Sequence, residues 1–360
     1  MTETKESNIN ENKNDIISDI NDDDDIKSDI LPTLYYIESE TELSSDHYIL
    51  YKQLRQYRDD IISKKIKWYQ KKFDNTWLTF DNKNDSSNDT NNNNNDSNSD
   101  DKILATQEMI EYLRIFGHDT NLVRCLTGGD YKIDRCKEIL SEIVQWRVLS
   151  KVDNITPLQF KKPLSNHAIY SLNGYAKTGH PIIFCNILAK PLDNPWDYVA
   201  ACIYTTEKAI KLAKLKNMEQ ALWIVDVSNL GYSTVPPRNV LKDVIYLLQS
   251  YYCQRMYKSY IAFSPFVFRM IWNMFSPFIN KYTKRALRFL AWDESKNYDT
   301  FKHEINRDQL PKKYGGTCNI EYTYQWELKE FNQNNGYKNL KAKIKKINDD
   351  NNDEKKDDIK

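Results

Sequence analysis

Residues 260–278 read YIAFSPFVFRMIWNMFSPF, a nearly unbroken run of aliphatic and aromatic residues in a chain whose mean hydropathy is -0.73. Such a run can be a membrane span, a buried helix or a surface that meets an apolar partner. A span is disfavoured, because the run barely reaches the ~20 residues that a bilayer core requires. Arg269 would also lie near the middle of that span, where a charge is costly. The two remaining interpretations both involve a helix that stays outside the bilayer core.

The run carries the signals of a helix that begins near its centre. Ser264 is a suitable N-cap, and Pro265 suits the first helical position because that position needs no backbone donor. From there, Arg269, Asn273 and Ser276 recur at helical spacing and form one narrow polar stripe. The other side chains are apolar over a far wider arc than the ~100° of an ordinary surface helix. The pattern predicts a helix that is either fully buried or covered by an apolar ligand or surface.

The residues that follow this helix are strongly basic. The sequence INKYTKRALRFL, at 279–290, contains Lys281, Lys284, Arg285 and Arg288. A wide apolar surface beside a cationic rim suits an amphiphile with an anionic head, such as a phospholipid, or transient contact with an anionic membrane surface. Taken alone, the basic residues would indicate only a solvated face.

The composition of the chain sets broad limits on its function. The 51 basic and 51 acidic residues cancel, so no overall positive field favours nucleic acid. The six cysteines are scattered without a CxxC pair or zinc-ligand spacing, and the polar N-terminus lacks the apolar core of a secretory signal. These features predict a cytoplasmic protein that binds neither nucleic acid nor metal and uses its cysteines as small core residues.

Composition also divides the chain into folded and low-complexity parts. Stretches rich in Asp, Asn and Ser cannot bury enough apolar area to offset the entropy of ordering. Apolar residues at helical spacing predict one helix over 46–73. The expected order is a disordered acidic and Asn-rich arm (1–45), a helix-containing segment whose packing is open (46–80), a low-complexity linker (81–102), a helical cap (103–157), an α/β lobe (158–320) and a charged tail (321–360).

Hydrophobic periodicity assigns a fold class to the two folded parts. The cap has three helical patterns, whereas the lobe alternates strands with helices, which is typical of a mainly parallel sheet. The run ALWIVDV at 221–227 is almost entirely apolar, as expected of a strand buried on both faces. The predicted fold class is α/β, with an N-terminal all-helical cap followed by the lobe. Predicted helices span 106–116, 121–126, 133–149, 197–215 and 239–252, and predicted strands span 181–188, 221–227, 258–263 and 286–290.

The order of these elements resembles the CRAL-TRIO lipid-binding domains, which include phosphatidylinositol transfer proteins. The resemblance covers roughly residues 103–320, and its most specific parts are the last two stretches in the series. The stretches are LVRCL (122–126), EILSEIVQWR (138–147), TGHPIIF (178–184), ALWIVDVSNLG (221–231), YYCQRMYKSYIAFSPFVFRMIWNMFSPFI (251–279) and QLPKKYGGT (309–317).

The resemblance implies that the sheet forms the floor of a deep apolar pocket and that the apolar helix is a gate over it. The gate would be covered by ligand when closed and by lipid tails when open. One bound lipid, of unknown identity, is the only ligand implied, with no other cofactor. The candidate pocket or gate residues are Phe184, Ile224, Phe263, Phe266, Phe268, Met270, Trp272, Met274 and Phe275.

The chain departs from the family at the residues that bind the lipid headgroup. In members that bind phosphatidylinositol, an Arg, a Glu, a Thr and a Lys hold the headgroup. Alignment of the motifs puts the Arg, Glu and Lys positions on Gly129, Gln254 and Ala286, so the resemblance does not imply phosphatidylinositol as the ligand. Only the Thr is kept, and two arginines lie near the lost Lys. The headgroup candidates are Thr283, Arg285 and Arg288.

No residue set in the sequence points to catalysis. The five histidines are isolated from any nucleophile, and the stretch TGGD at 127–130 lacks the Lys-Ser/Thr of a phosphate loop. Asp226 follows a buried strand but has no partner at a telling spacing. The favoured function is a non-enzymatic lipid-binding and transfer protein, cytoplasmic and peripherally membrane-associated. It would enclose one phospholipid or other hydrophobic lipid.

A lipid-sensing scaffold without transfer activity is the alternative function. In that case a partner protein would bind through residues 46–73 or through the polar arms, and the lipid would only set the conformation. The two functions differ kinetically, because a transfer protein exchanges its lipid between vesicles whereas a sensor retains it.

Overall fold

In the computed structural model, the described residues are 43–69, 102–264 and 267–333. They form two compact units: one comprises the residues up to 155 together with 246–254, and the other comprises 156–245 and the residues from 255 onward. Most of the predicted arm, all of the predicted linker except Lys102, residues 70–80 of the segment before it and residues 334–360 of the predicted tail lie outside the described residues. The predictions of disorder made for those stretches stay predictions.

The first unit is helical. Its helices pack around one cluster of buried apolar side chains, and a two-stranded antiparallel ribbon joins Trp68 to Ile103 in register. A π-helical turn at Leu247–Tyr251 also belongs to this unit. The elements are α1 (Ser45–Ile62), β1 (Trp68–Tyr69), β2 (Lys102–Ile103), α2 (Gln107–Phe116), α3 (Asp119–Gly128) and α4 (Ile133–Ser150).

Helix α1 packs inside this unit. Tyr51, Leu54 and Ile61 enter the core, so the apolar stripe that predicted the helix is buried against the helices beyond the linker. The prediction of one helix through residue 73 is wrong after Ile62. There the chain turns with Lys64 at a φ of 56°, a left-handed conformation that ends a helix.

The second unit contains the sheet. Its strands lie in the order β3-β4-β5-β6-β7, and every neighbouring pair is parallel except β3 with β4. The predicted α/β fold class with a mainly parallel sheet is confirmed. The elements are α5 (Lys161–Ser165), β3 (Ile169–Tyr170), β4 (Ile182–Asn186), α6 (Asp197–Lys214), β5 (Ala221–Asp226), α7 (Arg238–Tyr246, whose last residue falls in the first unit), β6 (Met256–Ala262), α8 (Val267–Phe275), α9 (Lys281–Ala286), β7 (Leu287–Phe289), α10 (Trp292–Lys296), α11 (Tyr298–Phe301) and α12 (Tyr324–Gln333).

One face of the sheet, here called the back face, is sealed by the chain that follows β7. Successive side chains of a strand point to opposite faces, and the register aligns Phe184, Ile224 and Tyr260 in one row. These side chains join a core cluster with residues from the C-terminal part of the unit. The covering residues, all fully buried, are Phe301, Ile305, Leu310 and Tyr314.

The motif at 309–317 fixes that covering segment to the ends of the strands. The ammonium group of Lys313 donates to Asp226 Oδ2 at 3.0 Å and to Asn186 Oδ1 at 2.9 Å, bridging β5 and β4. Gly315 has a φ of 78°, and a Cβ on Gly316 would overlap the backbone of Leu310. The glycine pair is therefore required by a left-handed turn and by a close approach of two backbones.

The folded region continues beyond the predicted boundary at residue 320. Helix α12 is held by an ion pair between Lys208 Nζ and Glu327 Oε2, 2.6 Å long, in which both side chains are at most 2% exposed. Tyr204 donates to the other oxygen of Glu327 at 2.7 Å. The assignment of 321–360 to a charged tail is corrected for residues 324–333, because α12 places its charged Glu327 inside the unit.

Candidate functional site

The opposite face of the sheet, here called the front face, is apolar but incompletely sealed. Its central row is Val225, Ile261 and Phe289, aligned across β5, β6 and β7. Val225 is half-buried, and Ile261 and Phe289 each retain 8% exposure, whereas the back-face row retains 1% at Phe184, none at Ile224 and 6% at Tyr260. An apolar surface that the chain itself does not fully cover is the kind of surface on which an apolar ligand binds.

Helix α8 lies on the front face. Phe268 and Trp272, one turn apart, pack against the cluster formed by the front-face residues. Both rings contact Phe289, with centroid separations of 5.5 Å for Phe268 and 4.9 Å for Trp272. The sequence-predicted gate helix therefore covers this face at strand β7.

The end of strand β6 sets the direction in which the chain leaves for α8. Phe263 has a φ of 57°, an uncommon conformation for an aromatic residue. Its N–H donates to Ser295 Oγ at 2.8 Å, and its ring packs edge to face on Trp292 at 5.0 Å. Helix α10 thus holds Phe263, which lies four residues before the start of α8, in place.

The structure divides the predicted pocket and gate residues between the two faces. Phe184, Ile224 and Phe263 belong to the back-face cluster, on the other side of the sheet from α8, whereas Phe268 and Trp272 pack on the front face. On α8, Met274 is 39% exposed and Phe275 is buried. Of the other predicted residues, Met270 lies on α8, and Phe266 falls outside the described residues.

The sequence pattern did not identify the residues of the sheet beneath α8. Val225 alternates with Ile224 along β5. This strand is almost entirely apolar and buried on both faces, so it offers no polar side chain within the apolar run to tell its faces apart. One consideration could have told the two faces apart. If the C-terminal segment covers one face of the sheet, α8 must pack on the opposite face. Because successive side chains of a strand point to opposite faces, Val225 and not Ile224 would then have been predicted to face α8.

A surface of exposed apolar and basic residues adjoins the end of α8. Phe278 is 49% exposed, and Lys242 Nζ lies 5.3 Å from the centre of its ring. Helix α9 follows, capped by Asn280, whose side chain accepts from Thr283 N at 2.8 Å. Here the "rim" means the exposed or half-exposed residues Met274, Phe278, Lys281, Lys284 and Arg285.

The three headgroup candidates occupy different environments. Thr283 and Arg285 lie on α9 within or next to the rim, whereas Arg288 aligns with Tyr260 on the back-face side of the sheet. A guanidinium nitrogen of Arg288 donates to the carbonyl oxygen of Arg285 at 3.1 Å, so it binds the C-terminal end of α9. Burial, and then the carboxylate of Glu304, raise the pKa of Tyr260, while Arg288 acts in the opposite direction.

The cap position of the family's arginine has no room for a side chain. A Cβ on Gly129 would lie 2.5 Å from Cys136 Sγ and 2.9 Å from Cys136 N, both far inside contact distance. Gln254, at the position of the family's glutamate, has a φ of 56°. In this chain, therefore, no side chain fits at residue 129, and residue 254 adopts a left-handed backbone conformation.

The described residues contain no helix with both the length and the hydrophobicity to cross a bilayer. Helix α8, the most apolar part of the sequence, is Val267–Phe275. At 1.5 Å per residue, a helix of that length covers less than half of a ~30 Å hydrocarbon core.

Comparison with known proteins gives one family and several partial relatives. Residues 165–316 match the model of the CRAL/TRIO domain. Patellin-4 of Arabidopsis thaliana is 27% identical over 215 residues, covering 57% of this chain and 39% of that protein. Phosphatidylinositol/phosphatidylcholine transfer protein SFH11 of Arabidopsis thaliana is 26% identical over 242 residues, covering 59% of this chain and 63% of that protein.

The crystal structure of Sfh5 aligns with a TM-score of 0.47 and 15% identity, covering 80% of this chain and 97% of that one. The chain spans between 21% and 39% of the length of the first four curated relatives that it matches.

Proposed function

Residues 165–316 of this chain form a CRAL/TRIO domain, and from that premise we propose that the protein binds one acyl lipid on the front face of its sheet and exchanges it at membranes. SFH11, one of the relatives, carries phosphatidylinositol and phosphatidylcholine transfer in its name. The lipid lies between the sheet and α8, and α8 moves aside when the lipid enters or leaves.

The observation that carries this proposal is the position of α8 on the front face. Phe268 and Trp272 meet Phe289 at the edge of an apolar row that keeps residual exposure. Acyl chains inserted along Ile261 and Val225 gain about 25 cal/mol for each Å² of apolar surface removed from water. Two chains of a phospholipid offer enough area for stable binding, so the front face needs no charged group to hold its ligand.

The rim supports membrane contact during exchange. Phe278 and Met274 present apolar surface beside Lys281 and Lys284. Each basic residue near an anionic bilayer contributes about 1 kcal/mol of attraction, and exposed aromatic rings insert at the headgroup level. Docking at the rim would bring α8 to the interface, where lipid tails replace the sheet as its apolar partner.

The partner-binding alternative loses one of its supports. The apolar stripe of α1 is occupied by the helical unit's own core through Tyr51, Leu54 and Ile61. Hydrogen bonds from Tyr51 to Asp119 and from Arg58 to the carbonyl oxygen of Gly117 hold the helix further. A scaffold function would therefore have to use another surface of the chain.

The proposal is tested by native mass spectrometry of the purified full-length protein, before and after mixing with phospholipid vesicles. A mass increment that matches one lipid, followed by movement of labelled lipid from donor to acceptor vesicles in proportion to protein, is expected. An unchanged protein mass after incubation with vesicles would overturn lipid binding. Stoichiometric loading without any transfer would overturn exchange and favour the sensing function.

Membrane docking is tested by co-sedimentation with vesicles that contain phosphatidylserine. Lys284→Glu is expected to lower vesicle affinity by about fivefold or more, the equivalent of ~1 kcal/mol, and Phe278→Ser is expected to act in the same direction. Lys161→Glu and Ile320→Ser are matched controls, because Lys161 is exposed and Ile320, at 48%, is as exposed as Phe278. Equal losses in the control variants would remove the rim from the proposal.

A further inference from the structure

Strand β6 carries a buried hydroxyl group on the front face. The side chain of Ser259 is 1% exposed, and its Oγ has no hydrogen-bond partner among the described residues. Ser259 aligns with Trp223 of β5 on one side and with Leu287 of β7 on the other. It therefore points to the same face as Ile261 and Phe289, the face that α8 covers.

The neighbours of this hydroxyl within the sheet are apolar. Its neighbours in register are an indole ring and a leucine side chain, and the next front-face residue along β6 is Ile261. A hydroxyl group taken out of water without a partner opposes folding, whereas an alanine would occupy the position without that cost. Packing against the described residues therefore gives no reason for a serine at this position.

A bound lipid would give the hydroxyl a partner. A serine hydroxyl has one donor hydrogen, and an ester carbonyl is the acceptor that a phosphoglyceride carries between its phosphate and its chains. A charged phosphate would not lie against Trp223 and Leu287, because burial of an unpaired charge in an apolar site is strongly unfavourable. The chemistry of the site selects a neutral acceptor that is attached to apolar chains.

The position of Ser259 relative to α9 agrees with the order of groups in a phosphoglyceride, which runs from the phosphate through the ester carbonyl to the acyl chains. Helix α9 contacts strand β6, and Arg285 stands two residues before Leu287, the partner of Ser259 in register. Two residues of chain span at most roughly 7 Å and neighbouring strands lie ~5 Å apart, so the Cα atoms of Arg285 and Ser259 are at most about 12 Å apart, a gap that the long arginine side chain and a glycerophosphate group can bridge. An exposed cation can thus meet the phosphate at the surface while the buried hydroxyl meets an ester carbonyl just inside.

We infer that Ser259 Oγ donates a hydrogen bond to an ester carbonyl oxygen of the bound lipid and so makes the front face selective for acyl-ester lipids. This inference rests on the proposed function, since it needs a lipid on the front face. It adds a selective polar contact to a site that otherwise binds by apolar area.

The test compares ester with ether lipids in wild-type protein and in Ser259→Ala. Vesicles contain equal amounts of diester and diether phosphatidylcholine with the same chains, together with the same pair for phosphatidylglycerol. Native mass spectrometry measures which of the two is loaded. Wild type is expected to prefer the diester lipid by about fivefold, the equivalent of one hydrogen bond, whereas Ser259→Ala loads both equally.

Several outcomes separate this inference from the proposed function. Equal loading of both lipids by wild type, or an ester preference that survives in Ser259→Ala, would overturn the role of Ser259 while leaving lipid binding intact. A protein that loads no vesicle lipid and co-purifies with none would overturn both. A co-purified sterol or other lipid without an ester carbonyl would overturn the ester contact alone.

Thermal unfolding of the lipid-free protein supplies the folding control. Ser259→Ala is expected to unfold at the same temperature as wild type or at a higher one, because the substitution removes a buried hydroxyl that has no partner in the part of the chain that the structure describes. A marked fall in the unfolding temperature would show that Ser259 is structural and would overturn the inference.

Discussion

The indole ring of Trp272 meets the ring of Phe289 edge to face, with centroids 4.9 Å apart and ring planes at 75°. Trp272 belongs to α8 and Phe289 to β7, the last strand of the sheet. Phe268, one helical turn earlier, contacts the same ring. Among the described side chains of α8, the two that reach the front-face cluster converge on Phe289. The described contacts of these two rings thus lie at β7, a strand that forms an edge of the sheet.

Phe289→Ala is therefore expected to loosen α8 selectively. Truncation of a buried phenylalanine costs about 3 kcal/mol or more, and the loss falls on the contact between α8 and the sheet. Hydrogen exchange of peptides that cover 267–275 should accelerate more than exchange in the rest of the unit. Phe289→Leu keeps most of the apolar volume and should cost about 1 kcal/mol.

The matched control for this experiment is Phe184→Ala. Phe184 is buried on the back face, so its truncation should destabilise the unit without a selective effect on α8. Similar exchange profiles in the two variants would contradict a gate held by Phe289.

The two arginines near the lost family lysine should respond differently to neutralisation. Arg285→Gln removes an exposed cation of the rim and is expected to lower affinity for anionic vesicles about fivefold, with little change in stability. Arg288→Gln removes a donor to the carbonyl oxygen of Arg285 and is expected to destabilise α9 by about 1 kcal/mol. Vesicle co-sedimentation and urea unfolding measure the two effects, and identical behaviour of the two variants would contradict their separate assignments.

The sequence predicted the elements better than their faces. Strand β5 was predicted at 221–227 and spans Ala221–Asp226, because a short apolar run bounded by polar residues is a strong local signal. Whether Ile224 or Val225 faces α8 depends on which distant segment covers each side, and that information is not local. The predicted pocket and gate residues therefore lie partly on the face of the sheet that α8 does not contact, and their role in lipid binding stays a prediction.

Polar contacts between residues far apart in the chain could not be predicted from the sequence either. Lys208 and Glu327 are far apart in the chain, and each resembles an ordinary surface residue of an amphipathic helix. Their burial follows from the docking of α12 on α6, which no local pattern specifies. The same holds for Lys313 and Asp226, which the structure joins at 3.0 Å.

Breaking the buried ion pair should reveal how strongly α12 is held. Lys208→Met leaves the carboxylate of Glu327 buried with Tyr204 as a remaining donor and is expected to cost about 3–5 kcal/mol. The double variant Lys208→Met with Glu327→Met removes both charges and is expected to recover much of that loss. Urea unfolding of the wild type, both single variants and the double variant gives the coupling energy, and strictly additive losses would contradict a direct pair.

His180 should make stability depend on pH below neutrality. Its ring is 3% exposed, stacks on Tyr257 with centroids 4.0 Å apart and shares a hydrogen bond of 2.7 Å with the Thr178 hydroxyl. Burial lowers the pKa of His180 from 6.5 to about 4. Between those two values the unfolded chain binds a proton that the folded protein does not, so the free energy of unfolding falls as the pH falls.

The expected loss is about 1.4 kcal/mol per pH unit, or about 3 kcal/mol between the pKa values of the unfolded and folded states. Urea unfolding at several pH values in that window measures it. His180→Phe keeps a ring on Tyr257 without a titratable group and should flatten the pH dependence by about this amount. His303→Gln, a change at an exposed histidine, should leave the slope unchanged, and a wild-type slope in His180→Phe would show that other groups control acid stability.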